Sequence, residues 1–224
     1  MNRSSSKKCF VFKIVIIIFA VFFAARPSYV INAESPEIPA AKPISSISST
    51  LTDDEINGFL FRIDEDIKKD VLALDSEYVE RLPIPILFGI SVGDFTDNWG
   101  EARPGGRAHE GVDIIASRGE LVVSPTDAVI TKIGYDKQGG NFVISANPGG
   151  EQFYFAHLDR VAENLSVGSI LKTGGLIGYV GDTGNARGKS SHLHFGIYRK
   201  RVAYNPFPRL SSEFSTEEKI GALE

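Results

Sequence analysis

The stretch that decides the fold of this chain reads HEGVDII over residues 109–115. Its last four residues include three β-branched side chains, which favour a β-strand, and its glycine is unfavourable inside a helix. Side chains alternate between the two faces of a strand, so residues four apart point to the same side. We therefore predict a strand that presents His109 and Asp113 together on one face.

A helical interpretation of the same stretch is rejected. Zinc proteases with a helical motif place a second histidine four residues after the first, and the glutamate beside the first histidine acts as the base. Position 113 holds aspartate here. His109-Glu110 is therefore not interpreted as part of such a motif.

All four histidines of the chain occupy positions that could form one site. They are His109, His157, His192 and His194. The last two are two residues apart, so they share one face of a strand, and a neighbouring strand could aim His109 and Asp113 into the same groove. Imidazole nitrogens and carboxylate oxygens suit zinc, and three protein ligands leave a fourth position for water, which is typical of a catalytic site.

Residues 96–205 resemble the LytM/lysostaphin-type metallopeptidases, the M23 family of peptidoglycan endopeptidases. The motifs that carry the resemblance occur in the order and spacing of that family. Besides HEGVD they are Trp99-Gly100, YFAHL at 154–158, GDTGN at 181–185 and HLHF at 192–195.

The resemblance implies one zinc ion per chain, held by His109, Asp113 and His194. It also implies that His157 and His192 flank the metal without binding it, and that they orient the attacking water or stabilise the oxyanion. Such a zinc ion polarises a peptide carbonyl and lowers the pKa of water to about 7. A histidine, with an ordinary pKa of about 6.5, suits proton delivery to the leaving amine. Either flanking histidine could be the base.

The stretch before the first ligand departs from the family pattern. Some relatives carry a tyrosine there as an oxyanion donor, whereas residues 102–108 read ARPGGRA. Arg103 is the candidate substrate-binding residue of this stretch. It could take over as the oxyanion donor or bind a substrate carboxylate.

The first 33 residues have the pattern of an export segment. A basic start is followed by an apolar run over residues 14–25, and about 12 apolar residues match a signal peptide better than a spanning helix of about 20. A count that begins at Cys9 gives a longer stretch, so an uncleaved inner-membrane anchor is the alternative. We expect an exported protein, and the absence of a wall-targeting module before residue 83 favours a periplasm.

Charge and cysteine content limit the partners and the sources of stability. The export segment holds five basic residues and no acidic ones, so the rest of the chain is more acidic than the net charge of −4 for the whole. An acidic chain is a poor candidate for nucleic-acid binding. Because Cys9 is the single cysteine, the remainder depends on its core and its metal for stability.

The segment before the metallopeptidase motifs, from Thr52 to Tyr78, is predicted to form an amphipathic helix. Thr52 and Glu55 fit a capping box, and apolar residues recur every three or four positions as far as Tyr78. We expect this helix to pack on the catalytic domain. Self-association, docking of a protein partner and coverage of the groove are the alternatives.

Short β-branched and aromatic runs separated by glycine-rich turns follow the helix. Strands are predicted at 84–90, 111–116, 120–124, 127–134, 141–146, 152–156, 176–180 and 193–198. The fold class is therefore mainly β, an antiparallel sheet or open barrel of the LytM type preceded by the amphipathic helix. The predicted segments are an export signal or anchor at 1–33, a linker at 34–50, a helical segment at 51–82, the metallopeptidase domain at 83–208 and a polar, peripheral tail at 209–224.

The function implied by the resemblance is that of an exported zinc endopeptidase, which hydrolyses peptide cross-links between peptidoglycan stem peptides. The competing hypothesis is a non-catalytic or self-inhibited wall-binding module that acts through a partner hydrolase. The intact ligand set, His109, Asp113 and His194, favours the enzyme.

Overall fold

Antiparallel strands make up most of the structure, a computed structural model that describes residues 64–221 and residue 223. Within these residues the chain forms thirteen strands and two short α-helices. In chain order they are α1 (Glu65–Leu72), β1 (Leu82–Pro83), β2 (Ala102–Arg103), β3 (Arg107–Ala108), β4 (Val112–Ile115), β5 (Leu121–Val123), β6 (Ala128–Asp136), β7 (Gly140–Asn147), β8 (Glu151–Val161), β9 (Ile170–Leu171), β10 (Leu176–Val180), β11 (His192–Arg199), β12 (Val202–Tyr204), β13 (Leu210–Ser212) and α2 (Thr216–Gly221).

Nine of these strands form one sheet in which every pairing is antiparallel. Its main path runs β12-β11-β8-β7-β6-β9, with β4 added beside β11 and β10 joining β5 to β8. The long strand β8 pairs with β7, β10 and β11, so it lies at the centre of the sheet. The prediction of a mainly β, antiparallel fold is confirmed.

Aromatic side chains on one face of β8 and β11 form the centre of the core. Phe153, Phe155 and Phe195 are fully buried, and the ring of Phe195 lies 5.3 Å from each of the other two. Because side chains alternate along a strand, burial of these rings turns Tyr154 and His194 to the opposite face. The core therefore decides which face carries the candidate site.

The predicted helix is only partly within the described residues, and there it is shorter than expected. Its first residues, 52–63, lie outside the described part, and α1 ends at Leu72 with Ala73 as its C-cap. The Asp75 carboxylate accepts a hydrogen bond from the amide of Glu77 at 3.0 Å, which favours a turn over another helical turn. The apolar periodicity that extends to Tyr78 is therefore not helical beyond Leu72.

The predicted strand at 84–90 is also absent from the structure. Ile86 forms a single bridge with Val122, although Ile84 and Ile86 are both buried in the core. Prolines at 83 and 85 remove two of the amide donors that a strand would need. This segment packs through its side chains, without regular pairing.

The C-terminal residues, expected to be peripheral, contribute to the core. Strand β13 pairs in parallel with β1, and Leu210 and Phe214 are buried. Just before β13, the Arg209 guanidinium donates two hydrogen bonds to the carboxylate of Glu151, at 2.7 and 2.9 Å. Although this segment is mostly polar, two buried apolar residues, Leu210 and Phe214, hold it against the core.

The predicted export segment and the linker lie outside the described residues. Among the helices that the structure does describe, neither is long and apolar enough to cross a membrane.

Replacement of Phe214 by alanine tests the role of the C-terminal segment. Phe214 is 5% exposed and packs with Leu87 and Val123, so Phe214→Ala should lower the free energy of unfolding by about 3 kcal/mol. Ile220→Ala is the matched control, because Ile220 is 55% exposed on α2 and should cost less than about 0.5 kcal/mol. Urea denaturation measures both values, and equal effects would show that the segment is peripheral.

Candidate metal centre

Strand pairing brings the predicted ligands together. In the register between β4 and β11, His194 lies directly opposite Asp113. His109 precedes β4 and is fixed through its backbone, which accepts a hydrogen bond from the Gly100 amide and donates one to the Glu101 carbonyl, both at 2.9 Å. The three side chains therefore approach one point from two strands and a loop.

The donor atoms form a tight triangle. His109 Nε2 lies 3.0 Å from Asp113 Oδ1 and 2.9 Å from His194 Nδ1, and His194 Nδ1 lies 2.9 Å from Asp113 Oδ1. The side chains are largely buried, with exposed fractions of 4% for His109 and 14% for each of the other two. Two imidazole nitrogens and one carboxylate oxygen at a single point fit one Zn²⁺ ion.

Backbone carbonyls set the tautomers of three histidines. The Nδ1 atoms of His109, His157 and His192 lie 2.7, 2.9 and 2.8 Å from the carbonyl oxygens of Asn98, Thr183 and Ser190. A carbonyl can only accept, so each Nδ1 carries the hydrogen and each Nε2 keeps a lone pair while the ring is neutral. In His109 this lone pair faces the other two ligand atoms.

His157 and His192 lie beside the triangle without joining it. Their ring centroids are 4.8 Å apart, and His157 lies 5.9 Å from the His194 ring. His192 Nε2 is 4.0 Å from Asp113 Oδ1. The structure thus brings all four predicted histidines into one group, with two beside the donor triangle.

A β-bulge turns His157 toward this group. Ala156 and His157 lie opposite the single residue Phe142 of β7, and His157 has a φ of 61°. A left-handed backbone is uncommon for a residue with a side chain and is often found at functional sites. The His157 amide donates to the carbonyl of Gly139 at 2.7 Å, which stabilises the bulge.

Burial and neighbouring charges keep the site ready to bind a cation. Burial, with repulsion from His192 and His194, lowers the pKa of His157 to about 4, and burial also lowers the pKa of His194. Burial alone would raise the pKa of Asp113, but its contacts with His109 and His194 outweigh burial and hold that pKa well below its ordinary value. Near neutral pH, His194 therefore offers a lone pair and Asp113 a negative charge, as metal ligands must.

Arg103 lies against the second oxygen of the Asp113 carboxylate. Its Nη2 donates to Asp113 Oδ2 at 2.7 Å, which leaves Oδ1 to face the histidines. The β2-β3 hairpin positions this guanidinium and places Arg107 on the opposite strand, exposed to solvent. A substrate-binding role for Arg103 stays a prediction.

Residues 107–206 match the family model described as peptidase family M23. The chain carries a peptidase M23 domain. The matched stretch includes β3 to β12 and all four histidines.

Proteins similar to this M23 domain are named as peptidases. An L-Ala–D-Glu endopeptidase of Bacillus subtilis (strain 168) is 34% identical over 139 residues, which are 57% of this chain and 42% of that protein. A glycyl-glycine endopeptidase of Staphylococcus capitis is 32% identical over 113 residues, 48% of this chain and 30% of the relative. This chain therefore spans less than half the length of either curated relative.

A solved structure is also similar. The catalytic domain of the antimicrobial peptidase lysostaphin from Staphylococcus simulans is 29% identical, with a TM-score of 0.46. The match covers 51% of this chain and 90% of that domain.

Two residues of the site were not recognised as functional from the sequence. A Cβ atom on Gly111 would lie 2.7 Å from His194 Cε1, so glycine is needed for the histidine to occupy its position in the M23 domain. Asn98 contacts both His109 and Asp113. The sequence features that could have identified these two residues are the glycine inside HEGVD and the position of Asn98 directly before Trp99-Gly100.

The lowered pKa of His157 predicts how the stability of the metal-free M23 domain depends on pH. The unfolded state, with a pKa near 6.5, binds more protons than the folded state, with a pKa of about 4, so the free energy of unfolding should fall as the pH drops through this window. His157 alone contributes up to about 3 kcal/mol, because each pKa unit corresponds to about 1.4 kcal/mol.

The variant His157→Asn should remove this part of the pH dependence, and asparagine tolerates the left-handed backbone. Urea denaturation in the presence of a chelator, at pH values between 4 and 7, measures the slope for both proteins. Identical slopes would contradict the assignment of the lowered pKa to His157.

Proposed function

We propose that this chain is an exported zinc endopeptidase that hydrolyses peptide cross-links of bacterial peptidoglycan. The observation that carries the proposal is the convergence of His109, Asp113 and His194 within 3.0 Å of one another, beside two further histidines, in an M23 domain. The names of the similar proteins, one for an L-Ala–D-Glu bond and one for a glycyl-glycine bond, support an endopeptidase.

The three converging residues would hold the zinc ion. When bound, zinc supplies a Lewis acid for the scissile carbonyl and makes an attacking water acidic near neutral pH. The chain contributes a buried site in which the ligands are already aligned, so little rearrangement precedes binding.

His157 and His192 are positioned to move protons. Each has its Nδ1 held by a backbone carbonyl, so proton uptake and release would occur at Nε2. Since the rings are 4.8 Å apart, two imidazolium charges would repel each other. One ring can therefore accept the proton from water and return it to the leaving amine.

Two tyrosines continue the site along the same sheet face. Gly196 separates His194 from Tyr198 on β11, and Tyr154 lies opposite Gly196 with its ring 5.8 Å from the His194 ring. Burial raises the pKa of both phenols, that of Tyr198 to about 12, so both stay neutral and able to donate hydrogen bonds. A neutral aromatic surface beside a cation site suits an extended peptide with polar backbone groups.

The regulatory alternative gains no specific support from the described residues. A module that only binds peptide would not need three metal-ligand atoms within 3.0 Å of one another. Self-inhibition by the N-terminal segment concerns residues 34–82, of which 34–63 lie outside the described part. The digestion experiment distinguishes self-inhibition from absence of activity.

Digestion of purified sacculi tests the proposed reaction. The zinc-loaded protein should convert cross-linked muropeptide dimers to smaller products, and mass spectrometry of the products identifies the bond. His194→Ala should lower this activity by at least about a thousandfold, because it removes a ligand and the Lewis acid with it. A chelator should abolish wild-type activity, and added zinc should restore it.

Equal product release by His194→Ala would contradict the zinc mechanism. Intact dimers after treatment with a wild-type protein that has bound zinc would contradict the endopeptidase function. Activity that appears only after removal of the residues before 64 would instead support self-inhibition.

Two arginine variants distinguish whether Arg103 orients Asp113 or binds the substrate. We expect Arg103→Met to lower kcat on a soluble muropeptide by about tenfold or more with little change in KM, because the lost contact orients Asp113 and not the substrate. Arg107→Met is the matched control, since Arg107 lies across the same hairpin and is exposed. A rise in KM at unchanged kcat would support the substrate-binding role predicted from the sequence.

A further inference from the structure

One residue outside the ligand set contacts two of the three candidate ligands, His109 and Asp113. The carbonyl oxygen of Asn98 accepts the hydrogen bond from His109 Nδ1 at 2.7 Å. Its side-chain Oδ1 accepts from the amide of Asp113 at 3.1 Å, and its Nδ2 lies 3.4 Å from the Asp113 carbonyl oxygen. Asn98 therefore connects the ring of one ligand to the backbone of another.

The contact with Asp113 closes an open strand edge. Strand β4 pairs with β11 on one side only, so the amide and carbonyl on its other side lack a strand partner. The carboxamide of Asn98 has an acceptor oxygen and a donor nitrogen, and these meet the amide and the carbonyl of Asp113 as a neighbouring strand would. This arrangement fixes the position of the Asp113 backbone relative to the loop that carries the Asn98 carbonyl.

The contact with His109 sets the chemistry of the ring. A carbonyl acceptor at Nδ1 fixes the tautomer and the orientation of the ring, and it leaves Nε2 as the atom available to a metal. Because the same residue holds Asp113, the His109 Nε2 and Asp113 Oδ1 atoms are positioned by one side chain and its own backbone. Loss of the side chain would let the two segments shift independently.

We propose that Asn98 is a positioning residue of the zinc site, which holds His109 and Asp113 in register for the metal. The inference rests on the proposed function only in taking zinc as the bound ion. Contacts of this kind typically contribute a factor of 10 to 100 in metal affinity. Since the Asn98 carbonyl persists in every variant, the side-chain contribution should lie at the lower end of that range.

The loop that carries Asn98 offers a matched control. Asp97 accepts a hydrogen bond from the Trp99 amide at 3.0 Å and another from Asn205 Nδ2 at 2.9 Å. Asn205→Ala therefore removes an asparagine that tethers the same loop but touches neither His109 nor Asp113. A general loosening of the loop would affect both asparagine variants, whereas a direct action on the ligands would affect Asn98→Ala alone.

The test measures zinc dissociation constants by competition with a chromophoric chelator, starting from metal-free full-length protein. Asn98→Ala should bind zinc about tenfold more weakly than wild type, and Asn205→Ala should stay within about threefold. Asn98→Asp keeps the acceptor for the Asp113 amide and should recover most of the lost affinity. Thermal unfolding of the metal-free proteins checks that each variant is folded.

Two results would overturn the inference. One is an Asn98→Ala affinity equal to that of Asn205→Ala, and the other is a wild-type protein that binds no zinc at micromolar concentrations. Failure of the proposed function can be distinguished from failure of this inference. A protein that cleaves no peptidoglycan can still show weaker zinc binding in Asn98→Ala than in wild type. Conversely, an active wild type whose zinc affinity does not depend on Asn98 would refute the inference alone.

Discussion

The register of β11 is the constraint on which the rest of this structure depends. Leu193, Phe195 and Ile197 are fully buried in the core. Since side chains alternate, their burial places His192 and His194 on the opposite face, against β4 and β8. A shift of one residue would bury the histidines and expose the aromatic core, so the hydrophobic effect that stabilises the sheet also assembles the site.

Hydrogen bonds from imidazole Nδ1 atoms to backbone carbonyls determine which ring nitrogen keeps a lone pair in three of the four histidines. They direct the lone pair of His109 Nε2 toward Asp113 and His194, and they leave Nε2 of His157 and His192 as the atoms that can accept a proton. Burial favours uncharged rings in His157 and His194, while neighbouring contacts keep Asp113 ionised. The protein thus prepares lone pairs and one negative charge before any cation binds.

The sequence predicted the features that depend on local periodicity. The alternation in HEGVDII and the two-residue spacing in HLHF were enough to group His109, Asp113, His192 and His194. His157 was grouped with them as the remaining histidine, and the family resemblance gave it its predicted role. The bulge that turns His157, the edge contact of Asn98 and the burial of Phe214 all depend on partners far along the chain. The apolar periodicity up to Tyr78 overestimated the helix because Asp75 supplies a competing side-chain hydrogen bond.

The central claim is that His109, Asp113 and His194 hold one zinc ion, while His157 and His192 do not. Diffraction from crystals of the zinc-loaded protein at the zinc absorption edge tests this most directly. We expect one anomalous peak per chain, at the point where His109 Nε2, Asp113 Oδ1 and His194 Nδ1 converge. A peak bound by His157 or His192, or no peak at this point, would contradict the account.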